Sequence, residues 1–277
     1  MLKARLAMGS ALMLVLGLIL TADSYGPSWS PGWMALCVLG STAGAIELTG
    51  MLQATGLRPS RLTAQLGTAV VVLSVFLGRA AQLPTVAPSL NTNETASLAD
   101  PLTILAWPMI AFALVILATF LRLSLRFQGR ATGATVANLA GTIFVVGYLG
   151  GLGSFVAVIR WLDQPQAGLL PLLLLVVAAK GSDTGAYTFG RLAGRHKLWP
   201  SLSPNKTVEG ALGGLGLGLG LTLLTAGPLA SAVGWTTLTT TEAAVFGVVV
   251  SIFAQLGDLM ESMLKRDCLT KDASKAL

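Results

Sequence analysis

Residues 168–189 read GLLPLLLLVVAAKGSDTGAYTF, an apolar run that ends among Lys180, Ser182 and Asp183. A helix that crosses a bilayer needs roughly 20 mostly apolar residues. This stretch supplies them, without the alternating pattern of a membrane β-strand. Outward from it, seven segments share its length and character, at about 6–22, 33–52, 63–83, 102–121, 134–158, 208–231 and 242–264. The expected fold class is therefore all-α, a polytopic transmembrane helical bundle of about eight spans.

Composition agrees. Of 277 residues, 53% are hydrophobic and 11% charged, and the mean hydropathy is +0.74. Soluble domains carry about 25% charged residues, so this chain lacks the ionic groups to cover a water-exposed surface. Disorder is excluded by the same apolar content. The two cysteines, Cys37 and Cys268, cannot build a disulfide framework and read as free thiols.

The net charge of +6 could point to nucleic acid or to anionic lipid, and its distribution decides. With the N-terminus inside, Lys3, Arg5, Arg58, Arg61, Arg122, Arg126 and Arg130 are cytoplasmic. So are Arg191, Arg195, Lys197, Lys206, Lys265, Arg266, Lys271 and Lys275, which makes 15 of the 18 basic residues. Arg160 falls on an opposite connection, Arg79 near a helix end, and Lys180 inside a span. The positive charge thus reads as orientation, with both termini cytoplasmic and no nucleic-acid partner. Lys3 and Arg5 ahead of an apolar stretch also resemble a secretory signal peptide, whose cleavage would leave seven spans.

Two regions are expected: N-terminal transmembrane helices over 1–130, and a C-terminal transmembrane catalytic region over 131–277. Asn93-Glu94-Thr95 has the form of a glycosylation acceptor but carries no functional assignment. The small residues from Gly210 to Gly220 predict close helix–helix packing in lipid.

Ionisable groups inside spans are costly and mark function by default. Glu47 stands alone in the second span. Lys180, Asp183, Asp258 and Glu261 lie in the C-terminal half, beside the densest polar loops. Lys180 and Asp183, three apart, share a helix face. The loop after their span contains Ser203-Pro204-Asn205-Lys206-Thr207. Ser203 is expected as an N-cap with Pro204 at the first helical position, gathering free backbone N–H groups and Lys206 into an anion site. A P-loop is not supported, because Pro200 and Asn205 stand where that motif needs Gly. His196 is the single histidine, which removes a multi-histidine zinc site. Asp258, Glu261, Ser262 and Lys265 share one face by their three/four spacing. Hard carboxylate oxygens beside several cations suit Mg²⁺ with a phosphate substrate, and hence phosphoryl or nucleotidyl transfer.

These stretches resemble the phosphatidate cytidylyltransferases, also called CDP-diacylglycerol synthases. The resemblance rests on Ser262-Met263-Leu264-Lys265-Arg266 with Lys271-Asp272, and on Asp183-Thr184-Gly185-Ala186-Tyr187. Gly190-Arg191, Gly194-Arg195-His196-Lys197, Ser203-Pro204-Asn205-Lys206-Thr207 and Glu209-Gly210 extend it. Tyr148-Leu149 with Gly150, Gly151 and Gly153 fits more weakly. The resemblance covers roughly 140–277.

It implies that CTP and phosphatidate, with Mg²⁺, give CDP-diacylglycerol and pyrophosphate in phospholipid biosynthesis, at a bacterial inner membrane with the active site facing the cytoplasm. It implies Asp258 as principal metal ligand, with Asp183 organising the metal–phosphate cluster. Lys206, Arg191, Arg195 and Lys197 would hold phosphates. Lys265, Arg266 and Lys271 would stabilise the leaving pyrophosphate, supported by Ser203, Thr207, Ser262 and Asp272. A homodimer is left open. The family pattern runs on through a Pro-Gly-His-Gly-Gly turn to an Asp-Arg-x-Asp segment, whereas this sequence stops at Leu277. A C-terminally truncated chain, short of a further metal-binding carboxylate, is the expectation. The alternatives are a secondary transporter with Lys180, Asp183 and Asp258 on an ion pathway, or another CTP-using lipid enzyme such as a lipid-alcohol kinase.

Overall fold

The computed structural model describes residues 15–23, 25, 30–81, 101–125, 133–161, 168–232 and 238–268. Its helices are α1 (15–23), α2 (Pro31–Ala54), α3 (Arg61–Ala81), α4 (Pro101–Ser124), α5 (Ala134–Val145), α6 (Leu152–Val158), α7 (Leu169–Ala193), α8 (Val208–Ala232) and α9 (Thr240–Asp267). A two-stranded sheet, β1 (Lys197–Trp199) with β2 (Ser203–Thr207), joins α7 to α8. Among the described residues, seven stretches are long and apolar enough to cross a membrane, and they match seven of the expected spans to within a few residues. Of the expected first span, only its end lies among the described residues, as α1. The Asn93 triplet lies outside them. The all-α polytopic membrane fold holds.

The described residues form two compact units, within 1–165 and 166–276. In the first, α2 begins at Pro31, and the Asp23 carboxylate accepts from the Gly32 and Trp33 backbone N–H groups at 3.0 and 2.6 Å. That carboxylate satisfies donors a helix start leaves free. The expected span 134–158 is not one regular helix. A π-helical turn, Val146–Gly151, separates α5 from α6, and a 3-10 turn, Ile159–Trp161, extends it. The turn sits where Gly150 faces Val71 and Thr68 of α3, so close packing accompanies the local unwinding. Arg160, expected on a connection, is consequently buried on the last turn of the span.

The second unit is built on α7 and α8. Lipid tails are as apolar as leucine, so membrane helices associate through close packing and interhelical hydrogen bonds. Gly210, Gly214 and Gly218 recur every fourth residue along α8 and bring its backbone against α7. A Cβ on Gly214 would lie 2.7 Å from the Ser182 carbonyl, and one on Gly185 would lie 2.9 Å from the Gly214 Cα. The packing expected of these glycines is thus present. Farther along, Leu170 and Leu174 of α7, Ala226 and Ala230 of α8 and Ala243 of α9 form a buried apolar cluster. Thr239 caps α9 by accepting from the Glu242 N–H, while Glu242 accepts from the Thr239 N–H, a reciprocal arrangement.

The hairpin corrects one expectation. Ser203 and Pro204 do not open a helix, because Ser203–Thr207 pairs with Lys197–Trp199. The cap is Thr207, whose Oγ1 accepts from the Gly210 N–H at 3.1 Å, and the helix starts at Val208. Pairing runs from Lys197↔Thr207 to Trp199↔Ser203, so β2 carries extra residues opposite β1. Pro204 has no N–H to give a ladder, which accounts for the irregularity. Such a bulge re-aims side chains.

Candidate active site

A cavity of about 780 Å³ opens among α7, α8, α9 and the hairpin, wholly within the second unit. Two of its walls are single helix faces. From α7 come Asp183, Ala186, Tyr187, Gly190 and Arg191, the three/four spacing of a single helix face. From α9 come Ala254, Gln255, Asp258 and Glu261. The hairpin adds Leu198, Asn205, Lys206 and Thr207, and Gly210 and Ala211 of α8 complete the wall.

Across this cavity Lys206 Nζ lies 2.6 Å from Asp258 Oδ2. Lys206 is 25% exposed and Asp258 54%, so the carboxylate is the more open end of the pair. Asp183 lines the same space. Its partner is Lys180, at 3.8 Å on the preceding turn, as their spacing predicts. Glu261 pairs with Lys265 one turn later on α9. Arg191 donates to the Tyr187 hydroxyl at 3.2 Å. Gly190 and Gly210 line the cavity without side chains, which leaves its volume to a ligand beside the two cationic groups Arg191 and Lys206.

Of the expected site residues, the structure brings Asp183, Arg191, Lys206, Thr207 and Asp258 to one cavity. Lys265 stands behind that wall, joined to Glu261. The Ser262 hydroxyl donates to the Asp258 carbonyl at 2.8 Å, so it turns back along its own helix. Arg266 is exposed at the end of α9, Lys197 is exposed on β1, and Ser203 is half-buried at the strand pair nearest the turn. None of these three lines the cavity. Arg195 contributes its backbone N–H to Glu209 at 3.0 Å. Lys271 and Asp272 lie outside the described residues.

Three contributions were not assigned from the sequence. Glu209 accepts from the Arg195 and His196 backbone N–H groups and also bonds the His196 ring, with Nδ1 to Oε1 at 2.6 Å. It therefore ties the entry of the hairpin to the first turn of α8. Asn205 joins the cavity wall from the bulged strand. Gln255 bridges helices, its amide donating to Ser182 Oγ and to the Ala211 carbonyl, both at 3.1 Å. The polar character of Glu209 and Gln255 in otherwise apolar helices was the available signal.

For a metal ion, the donor chemistry fits a hard cation. Asp183 and Asp258 offer carboxylate oxygens into one cavity, and Mg²⁺ is commonly held by one or two carboxylates with substrate phosphates and waters. Among the described residues there is no cluster of three or more His, Cys, Asp or Glu side chains that could form an all-protein cage. The arrangement suits an ion that arrives with a phosphate ligand.

These features define a polytopic membrane protein with a carboxylate- and cation-lined cavity among its last three described spans. The chain matches the Cytidylyltransferase family over residues 3–277, and it belongs to that family. It is 44% identical to a phosphatidate cytidylyltransferase of Staphylococcus saprophyticus over 117 residues, 42% of each chain. It is 36% identical over 140 residues to one of Mycobacterium leprae, covering 50% of this chain and 42% of that one. A Staphylococcus haemolyticus phosphatidate cytidylyltransferase is 42% identical over 111 residues, 40% of each. The chain thus spans less than half the length of the curated relatives it matches.

Proposed function

We propose that the protein is a phosphatidate cytidylyltransferase, joining CTP to phosphatidate to give CDP-diacylglycerol and pyrophosphate. Family membership supports group transfer over an ion pathway, and the names of the relatives support phosphatidate over a lipid alcohol. The observation that carries the reading is the Lys206–Asp258 pair, placed across one cavity from Asp183 and Arg191. A carboxylate pair for a cation and separate cations for phosphate are the two needs of a nucleotidyl transfer. The excess of Lys and Arg on the same side supports a cytoplasmic active site, and the bacterial relatives support an inner-membrane location.

In this reading a phosphatidate phosphate oxygen attacks the α-phosphorus of CTP. The bond from that phosphorus to the oxygen bridging to the β-phosphorus breaks, and pyrophosphate leaves with the electron pair. The attacking phosphate is already an anion, so no strong general base is needed. Mg²⁺, held by Asp183 and Asp258, would neutralise the gathered phosphate charge. Lys206 and Arg191 reach phosphate oxygens from the hairpin and from α7. Arg195 and Lys197 add positive charge at the hairpin, with Ser203 and Thr207 supporting. Lys265 and Arg266, at the end of α9, would add positive charge for the departing pyrophosphate; Ser262, with Lys271 and Asp272 from outside the described residues, would support them. The diacylglycerol part of the lipid would lie against the apolar helix faces.

The test is a membrane assay with the chain, phosphatidate, CTP labelled at the α-phosphate and a divalent cation. Labelled CDP-diacylglycerol with release of pyrophosphate is expected. Its absence with Mg²⁺, Mn²⁺ or Co²⁺ overturns the reading. Label incorporated from γ-labelled CTP into a lipid alcohol instead assigns the protein to lipid phosphorylation.

A further inference from the structure

One polar side chain hydrogen-bonds across all three helices that carry the cavity. Gln255 of α9 donates one amide hydrogen toward Ser182 Oγ of α7 and another toward the Ala211 carbonyl of α8, at 3.1 Å each. Ser182, fully buried, passes the connection back to α9 by donating to the Ser251 carbonyl at 3.3 Å. The neighbours of these residues matter. Ser182 precedes Asp183, and Gln255 lies one helical turn before Asp258.

This bridge exists because α7 and α8 approach so closely. A Cβ on Gly214 would lie 3.0 Å from the Gln255 amide nitrogen, and it would also crowd the Ser182 carbonyl and Ala186. Glycine there leaves the width of one amide between the helices. A seam of glycines packs closely but has few knobs to set rotation or register. In lipid, where apolar burial does not choose among registers, an interhelical hydrogen bond can. Gln has two donors on one planar group, so a single residue fixes α9 against both neighbours.

We propose that Gln255 is a positioning residue, whose amide sets the register of α9 on α7 and α8 and thereby places Asp258 opposite Asp183 and Lys206. The effect on turnover rests on the cytidylyl-transfer reading, whereas the effect on helix register does not. Displacing a reacting group by about 1 Å can cost ~10²-fold in rate, so a small slip of α9 would be enough to lower turnover.

The experiment compares the unaltered chain with Gln255→Met, Ser182→Ala and the double variant, all in lipid nanodiscs. Met keeps length and removes both donated bonds. Spin labels on Leu192→Cys of α7 and Met263→Cys of α9, both exposed, report the distance between the helices after Cys37 and Cys268 are replaced by Ala. The expected result is a shifted or broadened distance distribution in Gln255→Met and a kcat about 10²-fold lower. The melting temperature and the KM for phosphatidate should stay close to those of the unaltered chain. Ser182→Ala should show a smaller effect that does not add to that of Gln255→Met. An unchanged distance distribution overturns the proposal, whether or not turnover falls, as does a rate loss that only tracks a lowered melting temperature. If the unaltered chain makes no CDP-lipid, the proposed reaction falls, and the distance distributions alone decide the role of Gln255.

Discussion

Lys206 Nζ and Asp258 Oδ2 lie 2.6 Å apart, a contact that joins the β-hairpin to the last described span. The pairs Lys180–Asp183 and Lys265–Glu261 each lie within one helix and would form in that helix alone. The Lys206–Asp258 pair requires the hairpin and α9 to be placed together. It therefore reports the tertiary arrangement of the cavity, and in the proposed reaction a phosphate substrate would meet both groups.

Asp258→Asn keeps the shape of the side chain and removes its charge. If Asp258 holds the cation, turnover should fall by ~10²–10³-fold while membrane insertion and melting temperature change little. Lys206→Met should lower turnover by a similar factor and weaken CTP binding. Kinetics of CDP-lipid formation and calorimetric titration with CTP measure the two effects. Near-normal turnover in Asp258→Asn would refute its assignment as metal ligand.

Divalent-ion dependence checks the same site from the solvent side. Chelation should abolish turnover, and Mg²⁺ should restore it in proportion to the Mg–CTP concentration, because the two carboxylates form no complete cage of their own among the described residues. Asp183→Asn should raise the Mg²⁺ concentration needed for half-maximal rate. A rate that survives exhaustive chelation would exclude the carboxylates from cation binding.

Glu209 accepts two backbone N–H groups and the His196 ring at the start of the hairpin. Glu209→Ala should free that entry and loosen the strand pairing that ends with the Val208 N–H on the His196 carbonyl at 2.9 Å. Amide exchange at residues 195–208 should speed up, and the KM for CTP should rise several-fold as Lys206 loses its fixed position. His196→Ala should do less, since both backbone bonds to Glu209 remain. Equal effects of the two substitutions would show that the ring bond alone holds the hairpin.

The spans were legible because each is a long apolar run, and seven of them fell within a few residues of their helices. Asp183 and Asp258 were legible as charges set in apolar runs, and Lys206 as a cation beside an expected helix start. The hairpin was not, since Ser203-Pro204 carries a helix-start signature and neither short strand alternates. Its pairing is a tertiary fact, as is the π-helical turn opposite Val71. Gln255 was visible as a polar residue, but its acceptors lie 73 and 44 residues away in sequence, and no local pattern connects them.

The glycine-rich face of α8 separates packing from propensity. Gly214→Val would place atoms where the Ser182 carbonyl, the Gln255 amide and the Ala186 methyl already lie, within 3.1 Å of the first added carbon. The obstacle includes backbone, which cannot swing aside as a side chain can. The α7–α8 pair must separate, so loss of the folded protein in detergent and a much lower melting temperature are expected. Gly216, two residues on, has nothing within 4 Å of an added Cβ. Gly216→Ala should leave packing intact and, by restricting the unfolded backbone, stabilise by about 0.5–1 kcal/mol at most. Thermal unfolding of the two variants side by side tests the seam. If Gly214→Val melts with Gly216→Ala, α8 does not approach α7 as closely as the glycine spacing requires.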